Sequence, residues 1–224
     1  MRKTKFQNEY YYHIYNRGVD KREFFCDEKD YLRFLRSMRE FNSIKPIGSL
    51  YRQNQLKRLA HEDTEDTECL RRHSVSSVSL VEIIAYCLNQ NHYHLILKQK
   101  VDYGISKFMH KLGMAYSKYF NEKYNRSGSL FQGSYKSVPI KTDSQLLYVS
   151  AYINGNPEIH KIAKYNKWQY SSCLDYSGKR KGNLCSKKVI LDQFENITEY
   201  KEYIKSVVKD SSEIKEEVKE SLLE

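Results

Sequence analysis

A chain of 224 residues has room for one domain of ordinary size with extensions, or at most two small ones, and one core is the simpler expectation. Lys and Arg number 38 against 28 Asp and Glu, a formal charge of +10, and that excess points to a polyanionic partner. Five cysteines without CxxC spacing argue against a disulfide framework or a zinc ribbon, and no apolar run approaches the roughly 20 residues of a membrane span.

In chain order, the start, MRKTKFQNEYYYHIYNRG, lacks the apolar centre of a signal peptide, so a reducing cytoplasm and no membrane partner are expected. Tyr10 to Tyr15 is β-branched and aromatic, ends at Asn16-Arg17-Gly18, and reads as a strand. Asp27 to Phe41 carries Tyr31, Leu32, Phe34, Leu35, Met38 and Phe41 at helical spacing, with Asp27 as N-cap. From Ser43 to Leu80 the periodicity dissolves into HEDTEDTE and SVSSVS, as expected of an inserted mobile loop. VEIIAYCL and HYHLILK are strand-like runs joined by Asn89-Gln90-Asn91, a short hairpin loop.

Ile105 to Tyr124 repeats Phe108, Leu112, Ala115 and Tyr119 as a helix; RSGSLFQG, 126 to 133, is a basic loop; Tyr135 to Ile140 is a short strand limited by Pro139. Thr142 to Gly155 is a helix opened by the capping pattern Thr142-x-x-Gln145 and expected to stop at Pro157. The order β-α-β-β-α-β plus one helix predicts an α+β fold, a ferredoxin-like antiparallel sheet with helices on one face and the other face open for a site. Residues 1–178 form the expected catalytic domain, and 179–224 a helical extension, basic and then acidic.

Within NQNHYHLIL, His92 and His94 point to one face of a strand while Tyr93, Leu95 and Leu97 point to the other. Imidazoles about 7 Å apart along a strand can converge on one metal ion; a hairpin with polar residues facing water explains the same spacing. On the helix from Thr142, Tyr148, Tyr152 and Asn156 form one stripe, separate from the apolar Leu146, Ser150 and Ile153. Pro157 is expected to leave Asn156 at a frayed helix end, free to turn toward a ligand. A phenol, with a pKa of about 10, is a weak nucleophile unless a cation polarises the phosphate it attacks. Twenty tyrosines suit base stacking as well as core packing, so packing stays the alternative for any one of them.

YYHIYNRGVDKREFF, YCLNQNHYHLIL, SGSLFQGSYKSVPI, YINGNPEIHKI and KWQYSSCLDY, in this order, resemble the single-tyrosine HUH transposases of the IS200 type, and among them the REP-associated tyrosine transposases, over roughly residues 5 to 178. The resemblance implies His92 and His94 as ligands of Mg²⁺ or Mn²⁺, Asn156 as a third ligand, and Tyr152 as nucleophile. It further implies single-stranded, hairpin-forming DNA as partner, cleaved through a 5′-phosphotyrosine link, in a bacterial, nucleoid-associated setting. A monomer is favoured over a dimer. Arg17, Arg126, Gln132 and Lys136 are candidate DNA contacts, with turn shaping and surface solvation as their alternative roles. His13 could face the site, and Trp168 in KWQYSS is expected to pack a C-terminal strap. The chain departs from its relatives at Gln90, where they commonly carry proline, and at Gly155, which is expected to loosen the helix bearing Asn156 by about 1 kcal/mol relative to Ala. A metal-dependent nuclease using activated water and a catalytically silent DNA-binding regulator are the other functions these residues allow.

Overall fold

The computed structural model describes residues 5–44 and 78–221. The expected inserted loop, 43–80, therefore lies outside the described residues except at its ends. Those ends are held together: the Asn42 side chain accepts from the amide of Val81 at 2.9 Å and donates to its carbonyl at 2.8 Å.

Four strands, β1 (Tyr11–Arg17), β2 (Val81–Asn89), β3 (His92–Gln99) and β4 (Lys136–Ile140), form one sheet in the order β2-β3-β1-β4, with every neighbouring pair antiparallel. This is the ferredoxin-like order, and the α+β expectation holds. Helices α1 (Glu28–Glu40) and α2 (Gly104–Lys123) cover one face. Asp27 caps α1 as expected, in a reciprocal capping box with Asp30, an arrangement worth about 1 kcal/mol. The second carboxylate is also buried and receives Lys123 at 2.7 Å, Tyr124 at 2.8 Å and Tyr119 at 3.0 Å, tying α1 to α2. Under these helices Tyr12, Ile14, Tyr93, Leu95 and Leu97 pack with Phe24, Phe25, Phe34, Phe108 and Tyr116.

The other face is only partly open. Helix α3 (Asp143–Ile159) and helix α4 (Ile197–Ser221) lie over its β2 side, around Ile84, Ala85, Cys87 and Ile96. Two short helical turns, Cys173–Tyr176 and Lys188–Leu191, complete this layer. Trp168 donates to the carbonyl of Leu88 at 2.9 Å and packs edge-on to Tyr31, the strap role expected of it.

Two expectations about α3 fail. The helix runs through Pro157 to Ile159, with Asn156 fully buried rather than frayed. Proline removes only its own N–H bond, and the last turn is closed by His160 N–H donating to the Asn156 carbonyl at 3.0 Å and Ile162 N–H to that of Pro157 at 2.8 Å. Burial of Ile153 and Ile159 against the sheet layer outweighs the local bias. Gly155 does not loosen the helix either. A Cβ there would stand 2.4 Å from Cγ2 of Val208, so glycine is what lets α4 lie close against α3.

Candidate active site

The face that carries chemistry is set by a single irregularity. Between Ile83 and Ala85 the pairing of β2 with β3 shifts by one residue, so Ile84 is an inserted residue of a bulge. Before the bulge Val81 and Ile83 point into the α1/α2 core; after it Ala85 and Cys87 point to the opposite face. Cys87 then pairs with His94, and Asn89 with His92. From β1, Tyr15 pairs with His94 and Arg17 with His92, and from β4, Lys136 pairs with Tyr15. All four strands thus contribute to one polar patch at one end of the sheet.

The two imidazoles lie 5.3 Å apart between ring centres and nearly perpendicular, at 87°. His92 is oriented from both sides. Its Nδ1 lies 2.6 Å from Oδ1 of Asn91, and with a proton there Nε2 keeps its lone pair, 3.3 Å from Oδ1 of Asn156 and 2.8 Å from the amide nitrogen of Asn89. His94 Nδ1 lies 2.9 Å from Nε2 of His13. With the shared proton on His94, its Nε2 is the nitrogen left with a lone pair for a ligand. His13 therefore faces the site as a partner of His94.

Burial holds the His94 imidazole well below its ordinary pKa, reinforced by the neighbouring His13, His92 and His160, and it lowers His13 to about 4. Neutral imidazoles at pH 7 are the ligand-competent form. Among the described residues no trio of His, Cys, Asp and Glu gathers as a metal site. The atoms that could hold a divalent ion here are the two imidazoles and, 3.3 Å from Nε2 of His92, the carboxamide oxygen of Asn156, a mixed N/O set.

Tyr152 comes from α3. Its ring meets that of His94 edge-on at 5.8 Å and 89°. Burial pushes its phenol up from the ordinary value, and the amide of Asn156 beside it pulls the other way. The helix is fixed by a buried polar network: Asn154 donates to the Tyr200 hydroxyl at 2.8 Å, and Ser172 donates to Asn154 at 2.6 Å. Tyr148, one turn earlier on the same stripe, is exposed.

Tyr152, His92 and His94 line a cleft of about 770 Å³ together with Tyr15, Asn16, Arg17, Lys21, Asn91, Gln132, Lys136 and His160. Arg17 donates from Nε to Gln132, so two of the expected DNA contacts act as one unit. Arg126 is not among the lining residues; its guanidinium lies over the Phe120 ring at 5.7 Å. Sequence reasoning missed Asn89 and His160. His160, one turn beyond Asn156, lies against His92 with ring centres 4.5 Å apart and the planes tilted by 53°. Continuing the Tyr148–Tyr152–Asn156 stripe would have reached it, had Pro157 not seemed to end the helix.

Residues 50–156 match the model of the family described as "Transposase IS200 like". The fold is similar to that of a REP-associated tyrosine transposase solved bound to a REP hairpin, with a TM-score of 0.50 and 12% sequence identity, over 83% of this chain and 93% of that one. No curated protein matches. The resemblance drawn from the sequence motifs thus holds both in the family match and in the fold. No helix among the described residues is long and apolar enough to cross a membrane.

Proposed function

We propose that this chain, similar to the IS200-like transposases, cleaves and rejoins single-stranded, hairpin-forming DNA through Tyr152. The observation that carries the reading is convergence: a phenol from α3 and two imidazoles from β3 line one cleft with a basic rim, and a buried carboxamide from the next turn of α3 lies behind them, its Oδ1 3.3 Å from Nε2 of His92. The rim, Arg17, Lys21 and Lys136, suits a phosphate backbone, and Tyr15 offers a ring on which an unpaired base can stack.

In this reading His92, His94 and Asn156 hold the divalent cation. When bound, Mg²⁺ or Mn²⁺ supplies Lewis-acid polarisation of a phosphate oxygen. The Tyr152 oxygen attacks phosphorus, the bond from phosphorus to the 3′ oxygen breaks, the phenol loses its proton and the 3′ oxygen gains one. A 5′-phosphotyrosine and a free 3′-hydroxyl result, and because phosphodiester energy is retained, the reverse attack by another 3′-hydroxyl rejoins the strand. The raised phenol pKa makes this residue dependent on its surroundings: Asn156 stabilises the anion beside it, and the packed helix fixes the direction of attack. The tyrosine is delivered by a helix packed on the sheet of its own chain, which supports action as a monomer. A DNA substrate of this kind agrees with a nucleoid-associated place of action in a bacterial cytoplasm.

Incubation with end-labelled hairpin DNA and Mn²⁺ tests the proposal. A denaturation-resistant protein–DNA adduct, absent in Tyr152→Phe, is expected. Free cleaved strands from both proteins would indicate a nuclease using water, and binding without cleavage in both would indicate a regulator.

A further inference from the structure

Asn89 is fully buried at the end of β2, paired across the two-residue hairpin turn with His92. Its amide nitrogen lies 2.8 Å from Nε2 of His92 and 2.5 Å from Oδ1 of Asn156. With the His92 proton on Nδ1 toward Asn91, both of these atoms are acceptors. They stand 3.3 Å apart. Adjacent ligands on an octahedral Mg²⁺, at bonds of about 2.1 Å, stand about 3 Å apart. One N–H₂ group therefore satisfies the two lone pairs that a cation would otherwise take.

The other arm of the same carboxamide is an oxygen, and its partner is the thiol of Cys87 at 3.3 Å, a weak donor. Only this weak contact holds the oxygen arm, so the two hydrogen bonds of the nitrogen arm are what set which arm faces His92, and they lapse once an ion takes both lone pairs. Close by, Nδ2 of Asn156 is buried and makes no full hydrogen bond, its polar neighbour being the phenol of Tyr152, so this polar cluster is incompletely satisfied as it stands. A buried amide at the centre of such a cluster has few structural reasons to be there. The bulge at Ile84 is what turns Asn89 toward His92 instead of into the α1/α2 core.

We infer that Asn89 is a fourth protein ligand of the divalent cation, holding its place with the amide nitrogen and presenting Oδ1 when the ion is bound. The inference rests on the assignment of His92, His94 and Asn156 as metal ligands. Rotation about the terminal carboxamide bond exchanges donor for acceptor without moving the backbone, so loading the ion costs little more than the two hydrogen bonds it replaces. Asn89 thereby keeps His92 and Asn156 aligned before the ion arrives and adds an oxygen afterwards.

Titration of the full chain with Mn²⁺ alone, without DNA, followed by calorimetry and by the electron paramagnetic resonance of the free ion, separates the alternatives. Asn89→Leu is expected to bind Mn²⁺ about tenfold more weakly, and Asn89→Asp as tightly as the unaltered chain or more so. Unchanged or tighter binding by Asn89→Leu would overturn the inference, because the amide would then only compete with the ion. Equal weakening in Asn89→Leu and Asn89→Asp would also overturn it, because a carboxylate is a good ligand but cannot donate to His92 and Asn156. His92→Ala is the control for the underlying site: if it binds Mn²⁺ as well as the unaltered chain, the metal-site assignment itself fails.

Discussion

Tyr93 and His94 are consecutive residues of β3 that serve opposite faces of one sheet. Tyr93 is buried in an aromatic cluster with Phe24, Phe34 and Phe131, at ring-centre distances of 6.4, 5.2 and 6.0 Å. His94 sits among His13, His92 and Tyr152. The first face is apolar between Asn16 at one end and Gln99 at the other, and is covered by α1 and α2. The second is divided, with its β2 side sealed by α3 and α4 and its hairpin end left as a polar cleft. Period-two alternation assigns residues to faces, but the function depends on how far the covering helices extend across the second face.

Substitutions at these neighbours should separate cleanly. His94→Ala is expected to reduce adduct formation at least about a thousandfold, roughly 4 kcal/mol in the barrier, while altering folding stability by less than about 1.5 kcal/mol. Tyr93→Ala is expected to cost about 3–5 kcal/mol in urea unfolding through the cavity it leaves, with cleavage per folded molecule retained. If Tyr93→Ala silenced the chemistry at full stability, the division of labour between faces would be broken.

The same contrast appears in pH. His13 is lowered by burial from about 6.5 to about 4. A depressed folded-state value means that the stability is fully present above about pH 6.5 and is lost as pH falls toward 4. Unfolding in the presence of EDTA should show a loss approaching roughly 3 kcal/mol across that window, with His94 adding in the same direction, and the loss should shrink in His13→Gln. Among the described residues the α1/α2 face has no buried imidazole to add to it.

Much of this was legible from residue pattern. Caps at Asp27 and Thr142, alternation in HYHLILK, and the stripe of Tyr148, Tyr152 and Asn156 are local signals, and local signals survive folding when packing agrees with them. What escaped were features decided by tertiary contact. Pro157 reads as a helix stop because it loses one hydrogen bond, yet a packed turn tolerates it. Gly155 reads as a weak point, whereas its missing Cβ admits Val208. The bulge at Ile84 has no sequence mark, since IIAYCL is apolar on both sides, and without it Asn89 would point into the core. Arg126 carries the charge of a DNA contact but lies over Phe120, a placement that no spacing in RSGSLFQG encodes.

Smaller effects refine the picture. Gly155→Ala should cost about 1–3 kcal/mol by forcing α3 from α4, partly recovered in Gly155→Ala/Val208→Ala, as read by thermal melts. Recovery of cleavage alongside stability would tie the position of Tyr152 to that close approach. At the rim, Arg17→Ala and Lys136→Ala should each weaken hairpin binding modestly and lower the slope of log affinity against log salt by about 1, without altering stability measurably. Arg126→Ala should leave that slope unchanged.

The central claim is that the phenol of Tyr152 is the atom that takes the phosphate. Mass spectrometry of the protein trapped on hairpin DNA with Mn²⁺, after nuclease and protease digestion, addresses it directly. The account predicts a 5′-phosphonucleotide on the peptide containing Tyr152 and on no other tyrosine. Cleaved DNA with an unmodified Tyr152 peptide, or a nucleotide carried by Tyr15 or Tyr148, would contradict it.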